Sequence, residues 1–103
     1  MSWIVAYDIT SPRRWRRIHA RISRVGFRLQ YSLYWLPISG PAGHALADEI
    51  AGLIDPRSDD VRFYPFPDNA WARFYGVPPW TEGVHDALYR RFGDCWRESP
   101  DDG

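Results

Sequence analysis

The sequence predicts an α+β sandwich, with two helices on one face of a mainly antiparallel sheet. Three observations predict it. Its segments run strand, helix, extended segment, helix, strand, strand, an order that closes into one sheet with both helices on the same side. The first helix is apolar along one stripe only, so it has a single face to bury. Prolines punctuate the later strands at Pro65 and Pro67, which suits edge positions rather than a sheet centre.

Trp3 to Ile9 is a short run of apolar and β-favouring residues that reads as a buried first strand, with Asp8 near its carboxyl end. Ser11 is a good N-cap and Pro12 suits the first helical position, so a helix is expected from Pro12 to Val25, stopping at Gly26. Trp15, Ile18, Ile22 and Val25 form its apolar stripe, and Arg13, Arg16, Arg17, Arg21 and Arg24 project roughly opposite. Phe27 to Ile38 is extended, as one bent strand or two short ones. Ala42 to Ile54 places Leu46, Ile50, Leu53 and Ile54 on one face of a second helix, which Asp55-Pro56 terminates. Val61 to Phe66 and Trp71 to Val77 read as strands. Gly83 to Trp96 reads as a third helix through Val84, Leu88, Phe92 and Cys95, and Pro100 to Gly103 as a frayed tail.

A chain of 103 residues that is 45% hydrophobic suffices for one packed core. The amino terminus lacks a basic leader or a small-residue cleavage site, and no apolar run approaches the roughly 20 residues that cross a bilayer. The single cysteine, Cys95, fits a reducing compartment. A cytoplasmic protein without membrane contact is expected. Net charge is zero but unevenly spread: residues 1–38 carry seven arginines against the lone acid Asp8, so this part is +6 and the remainder −6. All thirteen basic residues are arginines, whose planar forks suit bidentate contact with phosphate oxygens. Such separation points to a polyanion-binding face.

Tyr7-Asp8-Ile9-Thr10-Ser11-Pro12 sets an acid at a strand end, directly before the positive end of a helix, where an anion or a metal-bound phosphate is favoured. The plain alternative is that Asp8 caps the helix or pairs with an arginine. Arg13, Arg14, Arg16, Arg17, Arg21 and Arg24 are candidates for a phosphate backbone; a merely solvated helix face would normally include glutamates, yet no acid occurs between Asp8 and Asp48. Arg28 is either a phosphate clamp or an outward-facing strand residue. Tyr31, Tyr34 and Trp35 could stack bases, although such aromatics more often fill a core or a dimer interface. His19, His44 and His85 share no metal-ligand spacing and read as incidental. No Gly-rich phosphate loop, nucleophile elbow or zinc motif is present.

Three segments together resemble one family: Tyr7-Asp8-Ile9-Thr10, the arginine-rich stretch from Arg13 to Arg24 ending at Gly26, and Arg28-Leu29-Gln30-Tyr31-Ser32-Leu33-Tyr34. Asp59-Asp60-Val61-Arg62-Phe63-Tyr64-Pro65 is similar to that family's later strand, and Ala72 to Val77 to its strand ending in glycine. These are the CRISPR-associated Cas2 endonucleases, the small subunit of the spacer-acquisition complex. The resemblance implies a ferredoxin-like domain over residues 1–78; residues 79–103 are read as a C-terminal extension, helical by their own periodicity and ending in a frayed tail. It implies a homodimer formed through the sheet, the last strand adding to the neighbour's sheet. It also implies cleavage of RNA or DNA phosphodiesters dependent on Mg2+ or another divalent cation, with Asp8 of both chains as metal ligand. Tyr7, Asp8, Arg17, Arg28 and Tyr34 fall at the positions that support the nuclease site. The implied partners are the CRISPR integrase of the Cas1 family, DNA and single-stranded RNA, in a bridge that holds DNA for integration. Two departures stand out: Trp15 occupies a position where many members carry arginine, and the segment from Pro78 onward matches no part of the pattern. Alternatives are a non-catalytic nucleic-acid-binding or bridging module and a VapD-like toxin ribonuclease.

Overall fold

The computed structural model describes residues 1–79 and 86–97. The elements in chain order are β1 (Ser2–Asp8), α1 (Pro12–Val25), β2 (Phe27–Gln30), β3 (Leu33–Leu36), α2 (Gly40–Ala51), β4 (Asp60–Phe66), β5 (Phe74–Tyr75), α3 (Asp86–Phe92) and β6 (Trp96–Arg97). The first four strands form an antiparallel sheet in the order β2-β3-β1-β4. With α1 and α2 as the connections, this is the ferredoxin-like sandwich. The chain divides into two compact units, Met1–Asp68 and the residues from Asn69 on. Among the described residues, no helix is long and apolar enough to cross a membrane.

In the first unit β1 is central, and its alternation decides what each sheet face presents. Trp3, Val5 and Tyr7 are buried and join Ile18 and Ile22 of α1, Tyr34 and Leu36 of β3, and Leu46 and Ile50 of α2 in one core. Full burial of an isoleucine contributes roughly 1.5–3 kcal/mol, so Ile18 and Ile22, with no exposed surface, hold α1 firmly to the sheet. Trp15 and Val25, the ends of the same stripe, pack against that core while partly exposed. Ser11 caps α1 by accepting a hydrogen bond from the Arg14 amide at 3.3 Å. β4 lies at the sheet edge, where Pro65 costs the ladder least.

The extended segment resolves into two short strands. They meet across Tyr31-Ser32, where Ser32 takes a φ of 60° to reverse the chain, and the register skips Leu29 as a bulge between Arg28 and Gln30. The second helix is displaced from Ala42–Ile54 to Gly40–Ala51 for local reasons. Ser39 caps it, its hydroxyl accepting from the Ala42 amide at 3.2 Å, and the Gly52 amide closes on carbonyls of the last turn. Leu53 and Ile54 therefore lie beyond the helix, yet still pack on the core. At Gly43 the Trp3 indole comes down onto the helix backbone, its Nε1 donating to the Ser39 carbonyl at 3.0 Å. A Cβ at Gly43 would run into the indole ring, so Gly43→Ala is expected to cost about 1–3 kcal/mol. Urea unfolding would show this as a lower midpoint at unchanged m-value.

In the second unit, β5 pairs in parallel with β6, and Leu88, Phe92 and Cys95 are buried. The strand expected over Trp71–Val77 is confined to Phe74–Tyr75, followed by Gly76 at a φ of 113°. The first unit closes at Asp68, ahead of the sequence-derived boundary at Pro78, because Phe74 bonds to the carbonyl of Cys95 and β5 makes its ladder with β6. Within the expected third helix, the described turns are Asp86–Phe92; Cys95 follows the helix, after Gly93 and Asp94 turn the chain into β6. Residues 83–85 of that helix and the tail at Pro100–Gly103 lie outside the described residues.

Candidate active site and nucleic-acid interface

The β1 alternation that buries Tyr7 among the helices turns Asp8 to the opposite, open face of the sheet. There it lines a depression of about 410 Å³ together with Ala6, Leu33, Tyr31, Asp60, Arg62 and Tyr64. Asp8 is exposed and, among the described residues, its side chain makes no hydrogen bond or ion pair; Ser11, not Asp8, caps α1. Directly across the β1–β4 ladder stands Asp60. Like charges placed opposite each other on a sheet are destabilising, a cost that a cation between them relieves. Arg62 meets part of that need: its Nε and Nη2 bond to the two Asp60 oxygens at 2.9 and 3.1 Å, which holds the Asp60 carboxyl below its ordinary range.

The loop beneath Asp8 is fixed by Asp59. Its carboxylate has no solvent exposure and accepts from the Thr10 amide and hydroxyl at 3.0 and 3.1 Å, from Arg14 Nε and Nη2 at 2.8 and 3.2 Å, and from the Asp55 amide at 2.8 Å. First among the causes, the Arg14 guanidinium pulls the Asp59 carboxyl far below the usual carboxylate range. One side chain thereby ties the β1–α1 loop to the α2–β4 loop, so that Asp8 and Asp60 leave the same knot.

On the helix-covered face, Tyr7 and Tyr34 lie with ring centroids 6.2 Å apart, both buried. Burial, the largest cause, raises the pKa of both phenols, so each stays protonated. The Tyr7 hydroxyl meets His19 Nδ1 at 2.7 Å. Arg28, exposed, faces Tyr34 across β2–β3. Arg17 is exposed on α1. The five site positions thus divide: Tyr7, Tyr34 and Arg28 share the helix side, Arg17 points outward from α1, and Asp8 stands alone on the open side.

The arginines of α1 divide as well. Arg14 belongs to the Asp59 knot, and Arg21 forms a two-pronged pair with Glu49 at 2.9 and 2.7 Å. The side chains of Arg13, Arg16 and Arg17 make no hydrogen bond or ion pair among the described residues, and Arg24 is exposed. The acids that balance this helix were not visible locally because they come from α2 and the α2–β4 loop.

A family model described as CRISPR associated protein Cas2 matches residues 1–74. The chain belongs to the Cas2 family. It is 34% identical over 77 residues to CRISPR-associated endoribonuclease Cas2 2 of Thermodesulfovibrio yellowstonii, covering 75% of this chain and 85% of that relative. It is 32% identical over 82 residues to CRISPR-associated endoribonuclease Cas2 1 of Nitrosomonas europaea, covering 80% and 78%. Among solved structures, a hypothetical protein TT1823 from Thermus thermophilus superposes with a TM-score of 0.67 at 26% identity, covering 76% of this chain and 93% of that one. Streptococcus pyogenes Cas2 at pH 6.5 gives a TM-score of 0.60 at 22% identity, covering 82% and 96%, a likeness of fold.

Against this Cas2 frame, four residues matter that sequence reasoning did not assign to the site. Asp59, Asp60 and Arg62 were seen only as strand sequence, since their relation to Asp8 depends on the β1–β4 register. His19, read as incidental from ligand spacing, is bonded to Tyr7 and stacked flat on Trp15 at 4.4 Å and 9°. Its position beside the apolar stripe of α1 was the available signal.

Proposed function

We propose that this Cas2 protein is a divalent-metal-dependent endonuclease that cuts phosphodiesters of RNA or DNA, acts as a homodimer, and serves in CRISPR adaptation as the DNA-binding bridge to the Cas1-family integrase. The observation that carries the nuclease reading is Asp8, exposed without a partner on the open sheet face, opposite a second carboxylate. The names of its curated relatives as endoribonucleases support the same reading.

The donor set fits magnesium. Carboxylate oxygens are the hard ligands that ion takes, and because it keeps several of its waters it needs few from protein. Among the described residues no three acidic, histidine or cysteine side chains are placed to hold a metal ion together, so this reading requires Asp8 from a second copy to complete the site. Asp8, with Asp60 beside it, would hold the ion. When bound, magnesium supplies a water of lowered pKa and neutralises charge on the phosphate. Water adds to phosphorus, one P–O ester bond breaks, and the departing oxygen takes up a proton. Arg62 is the guanidinium beside Asp8; Arg17 and Arg28, which the fold carries on other faces, hold phosphates further along the strand, and Tyr7 and Tyr34 support β1 from behind.

Wild-type protein is expected to cut single-stranded RNA or DNA with magnesium, to stop on chelation, and to resume when the ion is restored. Binding of duplex DNA with no cutting under several divalent ions would instead make it a bridging module; cutting of RNA alone, without DNA binding, would favour a toxin-like ribonuclease. Binding through α1 is expected to weaken linearly in log–log with salt, by about 0.9 per phosphate neutralised, and Arg16→Ala or Arg17→Ala each to reduce that slope by about 1. A salt-independent affinity would remove α1 from the interface.

A further inference from the structure

The hairpin between β2 and β3 ends in an aromatic residue that the chemistry above does not use. Of the three aromatics in this segment that could stack bases, Tyr34 and Trp35 are buried, whereas Tyr31 at the tip is 74% exposed. Its ring is not loose. It lies nearly parallel to Trp15, with centroids 6.3 Å apart and planes 14° apart. Trp15 in turn lies flat on His19, and His19 is held by the Tyr7 hydroxyl and by the edge of Tyr34 at 5.6 Å. Three parallel rings therefore run outward from the core, each backed by the next, and the last has an open side. The backbone contributes as well: Ser32 holds its positive φ, and its carbonyl accepts from the Tyr7 amide at 3.0 Å, which fixes the tip against β1.

Tyr31 also lines the depression that contains Asp8, Asp60 and Arg62. A flat aromatic surface beside acids and a guanidinium suits a ligand that joins an aromatic ring to a phosphate, and an apolar protein side chain suits it poorly. We propose that Tyr31, backed by Trp15 and His19, is the platform on which an unpaired nucleobase stacks, setting the adjoining phosphate of a single strand at the Asp8 depression. Tyr31 is then a substrate-binding residue, and Trp15 and His19 are positioning residues. Pre-ordering of the stack lowers the cost of immobilising the ring when the base arrives. Bases inside a duplex have their faces covered by their neighbours, so the platform discriminates for single strands or frayed ends. This inference rests on the nuclease reading only in taking a nucleic-acid strand as the ligand.

The test uses the full-length protein and a single-stranded oligonucleotide carrying one 2-aminopurine, in chelator so that no strand is cut. Stacking on a ring quenches the fluorescence of that base. Wild type and Tyr31→Phe are expected to quench it on binding, whereas Tyr31→Ala is expected to leave it bright and to weaken binding about tenfold. The same sequence as a closed duplex, whose neighbouring bases already quench the probe, is expected to show no further change on addition of protein and to compete poorly, when unlabelled, with the labelled single strand. Undiminished quenching by Tyr31→Ala would overturn the platform, as would a shift of ligand-free Tyr31→Ala from dimer to monomer in sedimentation, which would make Tyr31 an interface residue. Because ion-free conditions separate binding from cutting, a wild type that never cleaves yet quenches through Tyr31 would sink the nuclease reading and leave the platform standing.

Discussion

Asp8→Ala is expected to remove magnesium-dependent cleavage while leaving the protein at least as stable as wild type. The loss should reach about a hundredfold or more, since changes even to residues that merely support a metal ligand cost about 10–100-fold. The stability half of the result follows from the ladder. The Asp8 carboxylate accepts no hydrogen bond and joins no ion pair among the described residues, and it faces Asp60 across β1–β4. Removing its charge takes away a repulsion and breaks no bond. Cleavage assays read beside thermal unfolding separate the possibilities cleanly. Unchanged cleavage would take Asp8 out of the chemistry, and a large fall in melting temperature would make it a structural residue. Asp8→Asn, which keeps shape and discards charge, should resemble Asp8→Ala in both readouts.

Asp59→Ala is expected to produce the opposite pattern, with a melting temperature lowered by about 10 °C, as losing several hydrogen bonds to a buried carboxylate does in a domain of this size. The variant strands Arg14, the Thr10 hydroxyl and two backbone amides together. A pH signature accompanies it. Asp59 ionises at lower pH in the folded protein than in the unfolded chain, where a carboxylate titrates near about 3.9. Its contribution is therefore complete above that ordinary value and drains away as the pH falls below it toward the folded pKa. Wild-type stability should drop steeply in this acid range, and Asp59→Asn should flatten that limb. Parallel acid limbs in the two proteins would show that the knot contributes nothing through ionisation.

Much of this was written locally in the chain. Ser11-Pro12 and Gly26 bracket α1, the stripe through Ile18 and Ile22 selects its buried face, and the acid before the cap marks Asp8. Period and punctuation sufficed there because each depends on neighbours a few residues away. The hairpin stayed ambiguous because it turns on Ser32 at a positive φ, a residue that does not advertise that conformation as glycine or asparagine would. The end of α2 was overrun because Leu53 and Ile54 keep the apolar pattern after the backbone has left the helix at Gly52. The larger omission was pairwise. That Asp60 faces Asp8, that Asp59 receives Arg14 and that Tyr7 reaches His19 all follow from strand register and helix seating, which bring together residues up to about fifty positions apart in sequence. The charge asymmetry was legible, but how much of it is spent internally was not, since Arg14 and Arg21 find their acids in distant segments.

The central place of β1 carries a consequence for motion. A strand hydrogen-bonded on both flanks and sealed beneath two helices is among the last segments of a small domain to open, and its amides should exchange with solvent most slowly. Asp8 ends that strand and is therefore anchored to the least mobile backbone of the molecule. Arg13, Arg16 and Arg17, by contrast, are long exposed side chains on the outer side of α1, so the fixed acid and the adaptable cations belong to different faces of the domain.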